Sequence, residues 1–262
     1  ASVVLGLDRL SHALLWYRQQ LQWLGGIGVI VLAVALFPIL GIGGMQLYRG
    51  DSPGSVKDEK LTPRIKETAR TLSGIYLLIT VACALSFKFA GMGPFDAVTH
   101  AFSTVSTGGF STHEGGLAHF QSTGIELVAI CFMFVGGVNF ALHFLAYKRR
   151  DSGVYFEDPQ FRGYLILSVL LTAAVSAALY RSGVYATPGE ALRHGAFAAV
   201  SMQSTTGFGG APFFTWPGML PVLLMLTTFV GGSAGSTSGG MKVIRWQLVL
   251  RQAQRELMRL VH

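Results

Sequence analysis

Charged side chains are scarce in this chain of 262 residues, where lysine, arginine, aspartate and glutamate together make up only 13%. A soluble domain of ordinary composition carries about 25%, so the sequence excludes an ordinary soluble protein. Hydrophobic residues reach 51% and the mean hydropathy is +0.48, values typical of membrane-spanning helices. The composition predicts an all-α polytopic membrane protein.

Cysteine is scarcer still, and its scarcity excludes a disulfide framework. Cys83 and Cys131 are the only two cysteines, and both lie in apolar segments where buried free thiols are expected. The histidines show no metal-ligand spacing, and no nucleophile is paired with a base. The residues therefore favour a transporter over a membrane enzyme, and no organic cofactor is expected.

The net charge of +7 reflects the topology of the chain rather than nucleic-acid binding. Most lysines and arginines gather in three segments, 49–70, 148–162 and 242–259. The positive-inside rule places these segments in the cytoplasm. The chain is expected to contact membrane lipid and no nucleic acid.

Hydrophobic runs predict several spanning helices, because about 20 apolar residues cross a bilayer. The runs lie at 22–46, 72–89, 125–147, 161–179 and, in a shorter form, 219–230. Asn139, inside the third run, is expected either to line a pore or to bond to a neighbouring helix. Two shorter segments, 94–104 and 188–203, begin with proline and carry an acid near the start, as helical first turns do. Both are predicted to be half-helices that enter the membrane from outside.

Hydroxyl and glycine residues follow each half-helix. Thr107-Gly108 and Thr206-Gly207 match at a separation of 99 residues, so the order spanning helix, half-helix, Thr-Gly turn, spanning helix occurs twice. At membrane depth, backbone leaves helical geometry only where it is buried in protein or lines a water-filled cavity. The two segments therefore predict an ion path, and repeats that run in one direction predict a central pore along the membrane normal.

Two adjacent glycines after an apolar residue recur at Leu24-Gly25-Gly26, Val135-Gly136-Gly137 and Val230-Gly231-Gly232. The last pair opens a stretch, 231–240, made almost wholly of glycine, serine and threonine. Since glycine costs a helix about 1 kcal/mol relative to alanine, a broken helix is predicted there. Met241 follows Gly240 where a phosphate-binding loop requires lysine, so nucleotide binding is disfavoured and close helix packing is one interpretation of this stretch.

These motifs resemble the Trk/Ktr/HKT superfamily of potassium uptake proteins, most closely its bacterial TrkH branch. The resemblance covers essentially the whole chain and rests on residues 22–26, 43–49, 106–110, 205–209 and 231–242. It implies a subunit of four covalently joined helix, pore-loop, helix repeats. This chain would hold the end of the first repeat with a cytoplasmic linker (1–67), the second repeat (68–159) and most of the third (160–262).

Potassium is the transported ligand that the resemblance implies, dehydrated by inward-facing backbone carbonyls. The filter segments would be 105–110 and 204–209, with candidate ligands Ser106, Thr107, Gly108, Thr205, Thr206 and Gly207. The intramembrane gating loop, 231–240, would use Gly231, Gly232, Ser233, Gly235, Ser236, Thr237, Gly239 and Gly240. A homodimer in the bacterial inner membrane, controlled by a cytosolic nucleotide-binding ring, is also implied. A secondary transporter of another cation or small solute, with a binding site at the membrane midplane, is the alternative.

Overall fold

The computed structural model describes residues 6–32 and 61–261. Within them the chain is helical, and one isolated bridge joins Val230 to Met241. The helices are α1 (His12–Val31), α2 (Leu61–Phe89), α3 (Pro94–Val105), α4 (Thr123–Gly136), α5 (Phe140–Arg149), α6 (Gly153–Glu157), α7 (Pro159–Arg181), α8 (Pro188–Gln203), α9 (Leu220–Thr227) and α10 (Val243–Val261). The motif at 43–49, the end of the first hydrophobic run and the start of the first basic segment lie outside the described residues.

Two helices in the described part of the chain are long and apolar enough to cross a membrane, at Glu67–Phe89 within α2 and at Pro159–Arg181. They contain the predicted runs 72–89 and 161–179. Helix α1 begins at His12, upstream of the run that starts at Gln22, because Ser11 caps its N-terminus by accepting a hydrogen bond from Leu14 N.

The run 125–147 is not one helix, contrary to the prediction. It forms α4 and α5, which meet at an angle of 95°. The break follows Gly136, and the side chain of Asn139 accepts a hydrogen bond from Ala141 N at 2.9 Å. Asn139 therefore caps α5, a role beyond the two predicted from the sequence, which stay predictions. Cys131 on α4 is exposed, also against expectation, whereas Cys83 is buried, and both are free thiols.

The two half-helices are α3 and α8, and each starts with proline in its first turn. Asp96 and Glu190 lie in these first turns, where a carboxylate is stabilised by the helix dipole. Helix α8 has the predicted bounds, and α3 extends one residue further, to Val105. Helix α3 packs against α1, α2 and α4, and α8 packs against α4, α7 and α9, so each half-helix is surrounded by three other helices.

The predicted broken helix is present near the C-terminal end. Helix α9 ends at Thr227, and α10 begins only at Val243. Between them, Gly231 N donates to Met241 O at 3.0 Å and Met241 N donates to Phe229 O at 2.9 Å. These bonds bring the two ends of the 231–240 loop together.

Candidate ion-conducting site: two filter segments and the loop that contacts them

The segment after α3 turns its N–H groups back toward the end of that helix. Three consecutive bonds do this: Ser106 N to Phe102 O (3.2 Å), Thr107 N to Thr104 O (3.1 Å) and Gly108 N to Ser103 O (2.8 Å). In a trans peptide the carbonyl of one residue points opposite to the N–H of the next. The carbonyls of Val105, Ser106 and Thr107 therefore point away from α3.

The segment after α8 has the same arrangement. Ser204 N donates to Val200 O (2.9 Å), Thr205 N to Met202 O (3.0 Å) and Gly207 N to Ser201 O (3.1 Å). By the same geometry, the carbonyls of Gln203, Ser204 and Thr206 point away from α8. Both half-helices also direct their C-terminal, partially negative ends at these segments, which favours a cation.

The backbone angles define how the two segments correspond. Thr107 and Thr205 have left-handed φ values of 51° and 58°, and Gly109 and Gly207 have φ values of 71° and 69°. Each threonine hydroxyl donates to the preceding serine carbonyl at 2.7 Å. Residues with equivalent backbone angles in the two segments are therefore separated by one residue fewer than the 99 that the Thr-Gly dipeptides predict.

Gly109, rather than Gly108, is accordingly the counterpart of Gly207, and Gly108 corresponds to Thr206. A left-handed φ favours glycine, and this requirement falls at Gly109 and Gly207. The sequence contained a signal for this register. Ser103, Ser106, Thr107, Gly109 and Phe110 align with Ser201, Ser204, Thr205, Gly207 and Phe208.

The two filter segments lie side by side. A Cβ atom added to Gly109 would overlap the carbonyl oxygen of Thr206 and lie 3.0 Å from the carbonyl carbon of Gly207. Further along, Leu117 N donates to Gly209 O at 3.1 Å. The structure therefore brings together all six predicted filter residues, with Gly109 as a further member that the dipeptide match missed.

The 231–240 loop contacts both filter segments through equivalent threonines. The hydroxyl of Thr237 lies 3.0 Å from Val105 O and 3.2 Å from Thr107 Oγ1. Gly239 N donates to Thr205 Oγ1 at 2.6 Å. The loop is thus bonded to the start of each filter segment, next to the end of each half-helix.

The same loop fills the break between α4 and α5. Ser233 N donates to Gly137 O at 2.8 Å, Thr237 Oγ1 to Gly136 O at 3.0 Å, and Phe140 N to Gly235 O at 3.0 Å. A helix end leaves such backbone groups without partners, and here the loop supplies them. The bend in the second repeat and the loop of the third repeat therefore depend on each other.

Contacts within the loop account for the other predicted residues. Ser236 Oγ donates to Ser233 O at 2.7 Å, and Gly232 N donates to Ser238 Oγ at 2.6 Å. Gly231 packs against the carbonyl of Gly239, and Gly240 has a φ of 68°. At the end of the loop, the ammonium of Lys242 donates to the carbonyl of Ser238.

Polar side chains also lie along α3, from its first turn to its middle. His113 bonds to Asp8 at 2.9 Å, and this hydrogen bond holds the pKa of the Asp8 carboxyl below its ordinary value. His100 is buried, with Nδ1 2.8 Å from Asp96 O and Nε2 2.9 Å from Ser111 Oγ. Since a carbonyl only accepts, Nδ1 carries the proton, and His100 joins α3 to the segment that follows the filter.

Comparison with known proteins identifies the family. A profile described as cation transport protein, TrkH, matches residues 1–262. The chain belongs to the TrkH family. The predicted resemblance is therefore confirmed, and the family description agrees with the prediction of a transporter rather than an enzyme.

TrkH-family relatives match the chain from end to end. The Trk system potassium uptake protein TrkH of Halomonas elongata is 51% identical over 262 residues, which are 100% of this chain and 54% of that protein. The protein of the same description from Escherichia coli K12 is 49% identical, again over 100% of this chain and 54% of that protein. The chain thus spans about half the length of the curated relatives it matches.

A solved TrkH structure confirms the fold. The crystal structure of the potassium transporter TrkH from Vibrio parahaemolyticus matches with a TM-score of 0.90 and 46% identity, covering 100% of this chain and 53% of that one. The all-α arrangement of membrane helix and pore-loop repeats predicted from the sequence is therefore the observed one.

Proposed function

We propose that this chain supplies two filter segments and the adjoining loop of a potassium permease. The observation that carries the proposal is the pair of segments that follow α3 and α8 in the same conformation, with their carbonyls turned away from the half-helices. Such carbonyls replace the hydration shell of a potassium ion. The TrkH relatives described as potassium uptake proteins favour potassium over other cations.

The proposed ligands are mainly backbone oxygens of the two segments. In the second repeat they are the carbonyls of Ser106, Thr107 and Gly108. In the third repeat they belong to Ser204, Thr205, Thr206 and Gly207, of which Ser204 extends the predicted set by repeat symmetry. Gly109 acts through its backbone angle, as Gly207 also does. The chain division at 67 and 159 follows the same repeats and remains a prediction.

The 231–240 loop is proposed to be the gate. Its bonds to Thr107 and Thr205 put it directly against both filter segments, where it obstructs the path that their carbonyls line. Its small side chains allow it to move without large steric changes, and the exposed arginines of α10, such as Arg245 and Arg251, follow it in the chain. A homodimer in the bacterial inner membrane, with a cytosolic nucleotide-binding ring docked on the basic segments, would control this loop.

Reconstitution of the full-length protein tests the proposal. Proteoliposomes should take up rubidium, potassium should compete with that uptake, and sodium should compete poorly. Gly207→Ser should weaken the preference, because a side chain is strained at a φ of 69°. Rubidium uptake and ion preference unchanged in this variant would contradict the filter assignment, and counterflow of another solute without potassium flux would favour the secondary transporter.

A further inference from the structure

Gln22 of α1 reaches the filter segment of the second repeat. Its Oε1 atom accepts a hydrogen bond from Ser103 Oγ at 3.0 Å, and Ser103 Oγ accepts one from Phe110 N at 2.6 Å. The carbonyl of the same serine accepts from Gly108 N at 2.8 Å. The amide of Gln22 therefore orients the serine that holds both ends of this filter segment.

The third repeat has a different residue at the corresponding position. Helix α4 packs on α8 as α1 packs on α3, and Gly137 lies against the hydroxyl of Tyr164 as Gly26 lies against that of Tyr76. One helical turn before each glycine are Gln22 and Met133. Met133 is fully buried, and its thioether is only a weak hydrogen-bond acceptor.

A second difference between the repeats compensates for the first. A Cβ atom at Gly108 would come within 2.6 Å of the Gln22 side-chain carbonyl carbon, so glycine leaves the space that the amide occupies. The counterpart of Gly108 is Thr206, whose hydroxyl bonds to Ser204 Oγ at 2.7 Å. Each filter segment thus has a polar support. In the second repeat it comes from Gln22 of the preceding repeat, and in the third repeat it comes from the hydroxyl of Thr206 in the segment itself.

We propose that Gln22 and Gly108 form a matched pair in which Gln22 is a positioning residue for the ion preference of the second filter segment. Met133 and Thr206 form the corresponding pair of the third repeat. The inference rests on the proposed function, since the position of the segment affects ion preference only if the segment binds ions. Helix α1, which belongs to the preceding repeat, thereby supports the filter segment of the second repeat.

A double-mutant cycle in the full-length protein tests the pair. The variants are Gln22→Met, Gly108→Thr and the combination of both, which copies the third repeat into the second. Gln20→Met is the matched control, because Gln20 is exposed on the same helix and bonds to Trp16 rather than to the filter. The readouts are the potassium-to-sodium permeability ratio, from reversal potentials under bi-ionic conditions, and the midpoint of thermal unfolding in detergent.

Gln22→Met should lower the permeability ratio about fivefold, the effect of one net hydrogen bond, and Gly108→Thr should lower it further. The double variant should return to within about twofold of the wild type, and Gln20→Met should leave the ratio unchanged. If Gly108→Thr does not fold, accumulation of the double variant in the membrane also supports the pair.

Two results would overturn the inference while the proposed function stands. One is a permeability ratio in Gln22→Met that equals that of a selective wild-type protein. The other is a double variant that is worse than both single variants in ratio and thermal stability. A wild-type protein that does not discriminate potassium from sodium would instead refute the proposed function itself.

Discussion

Three glycines in or beside the filter segments should respond differently to the same substitution, alanine. Gly109 and Gly207 have left-handed φ values near 70°, whereas Gly108 does not. An alanine in the left-handed region costs roughly 1 to 2 kcal/mol. Because nothing lies within 4 Å of a Cβ at Gly207, this backbone term is the whole expected cost of Gly207→Ala.

Gly109→Ala should cost more, because its Cβ would also overlap the carbonyl oxygen of Thr206. Overpacking adds about 1 to 3 kcal/mol, and the carbonyl can move only by displacing the third-repeat filter segment. We expect a total of roughly 2 to 5 kcal/mol. Gly108→Ala meets the end of the Gln22 side chain and, at 3.2 Å, the hydroxyl of Ser106. Both side chains can rotate, and the loss of the Gln22 hydrogen bond costs about 0.5 to 1.5 kcal/mol.

The assay is the potassium-to-sodium permeability ratio of each full-length variant, measured together with its thermal unfolding midpoint. Both quantities should fall most for Gly109→Ala and less for Gly207→Ala and Gly108→Ala. Equal damage from Gly108→Ala and Gly109→Ala would refute the structural register of the two segments. A fully selective Gly109→Ala protein would show that Gly109 does not lie against the carbonyl of Thr206.

Three further outcomes are expected. Liposomes that contain only this 262-residue chain should stay potassium-tight, because a pore of four repeats would lack filter elements; selective flux from the purified chain would show that the repeat count is wrong. Removal of Gly235–Gly239 from the full-length protein should raise single-channel open probability. Rarer openings in a protein that stays folded and selective would show that the loop supports the structure rather than gates it. Arg193→Met should lower the free energy of unfolding by roughly 1 to 3 kcal/mol, because Glu126, which is mostly buried and 3.3 Å from Arg193, loses its partner. Adding Glu126→Gln should recover part of the loss of thermal stability. Additive losses in the double variant would show that the pair does not interact.

The half-helices could be predicted from the sequence because their signals are local. Pro94 and Pro188 suit a first helical turn, and the acids near them suit its dipole, so the bounds of α3 and α8 agreed within one residue. The glycine and serine content of 231–240 likewise disfavours a helix whatever surrounds it. Local chemistry of this kind acts before any tertiary contact forms.

The bend after Gly136 and the filter register depend on distant contacts and backbone angles. The broken α4–α5 pair is stable because residues of the 231–240 loop, about one repeat later in the chain, bond to Gly136, Gly137 and Phe140. The Thr-Gly dipeptide matched Gly108 to Gly207, but a residue name does not show which glycine takes a left-handed φ. The capping role of Asn139 was not predicted because it exists only at a break in the helix.

The bonds between the loop and the broken helix also mean that the loop cannot withdraw as a dry segment. Its departure would leave Gly136 O, Gly137 O and Phe140 N unpaired, and each such group costs about 1 to 3 kcal/mol when it stays buried. Water is the replacement at hand, provided that the vacated space is polar and large enough to hold it. Opening is then a wetting transition, and the free energy of opening should rise in proportion to the osmotic pressure of polymers too large to enter the space.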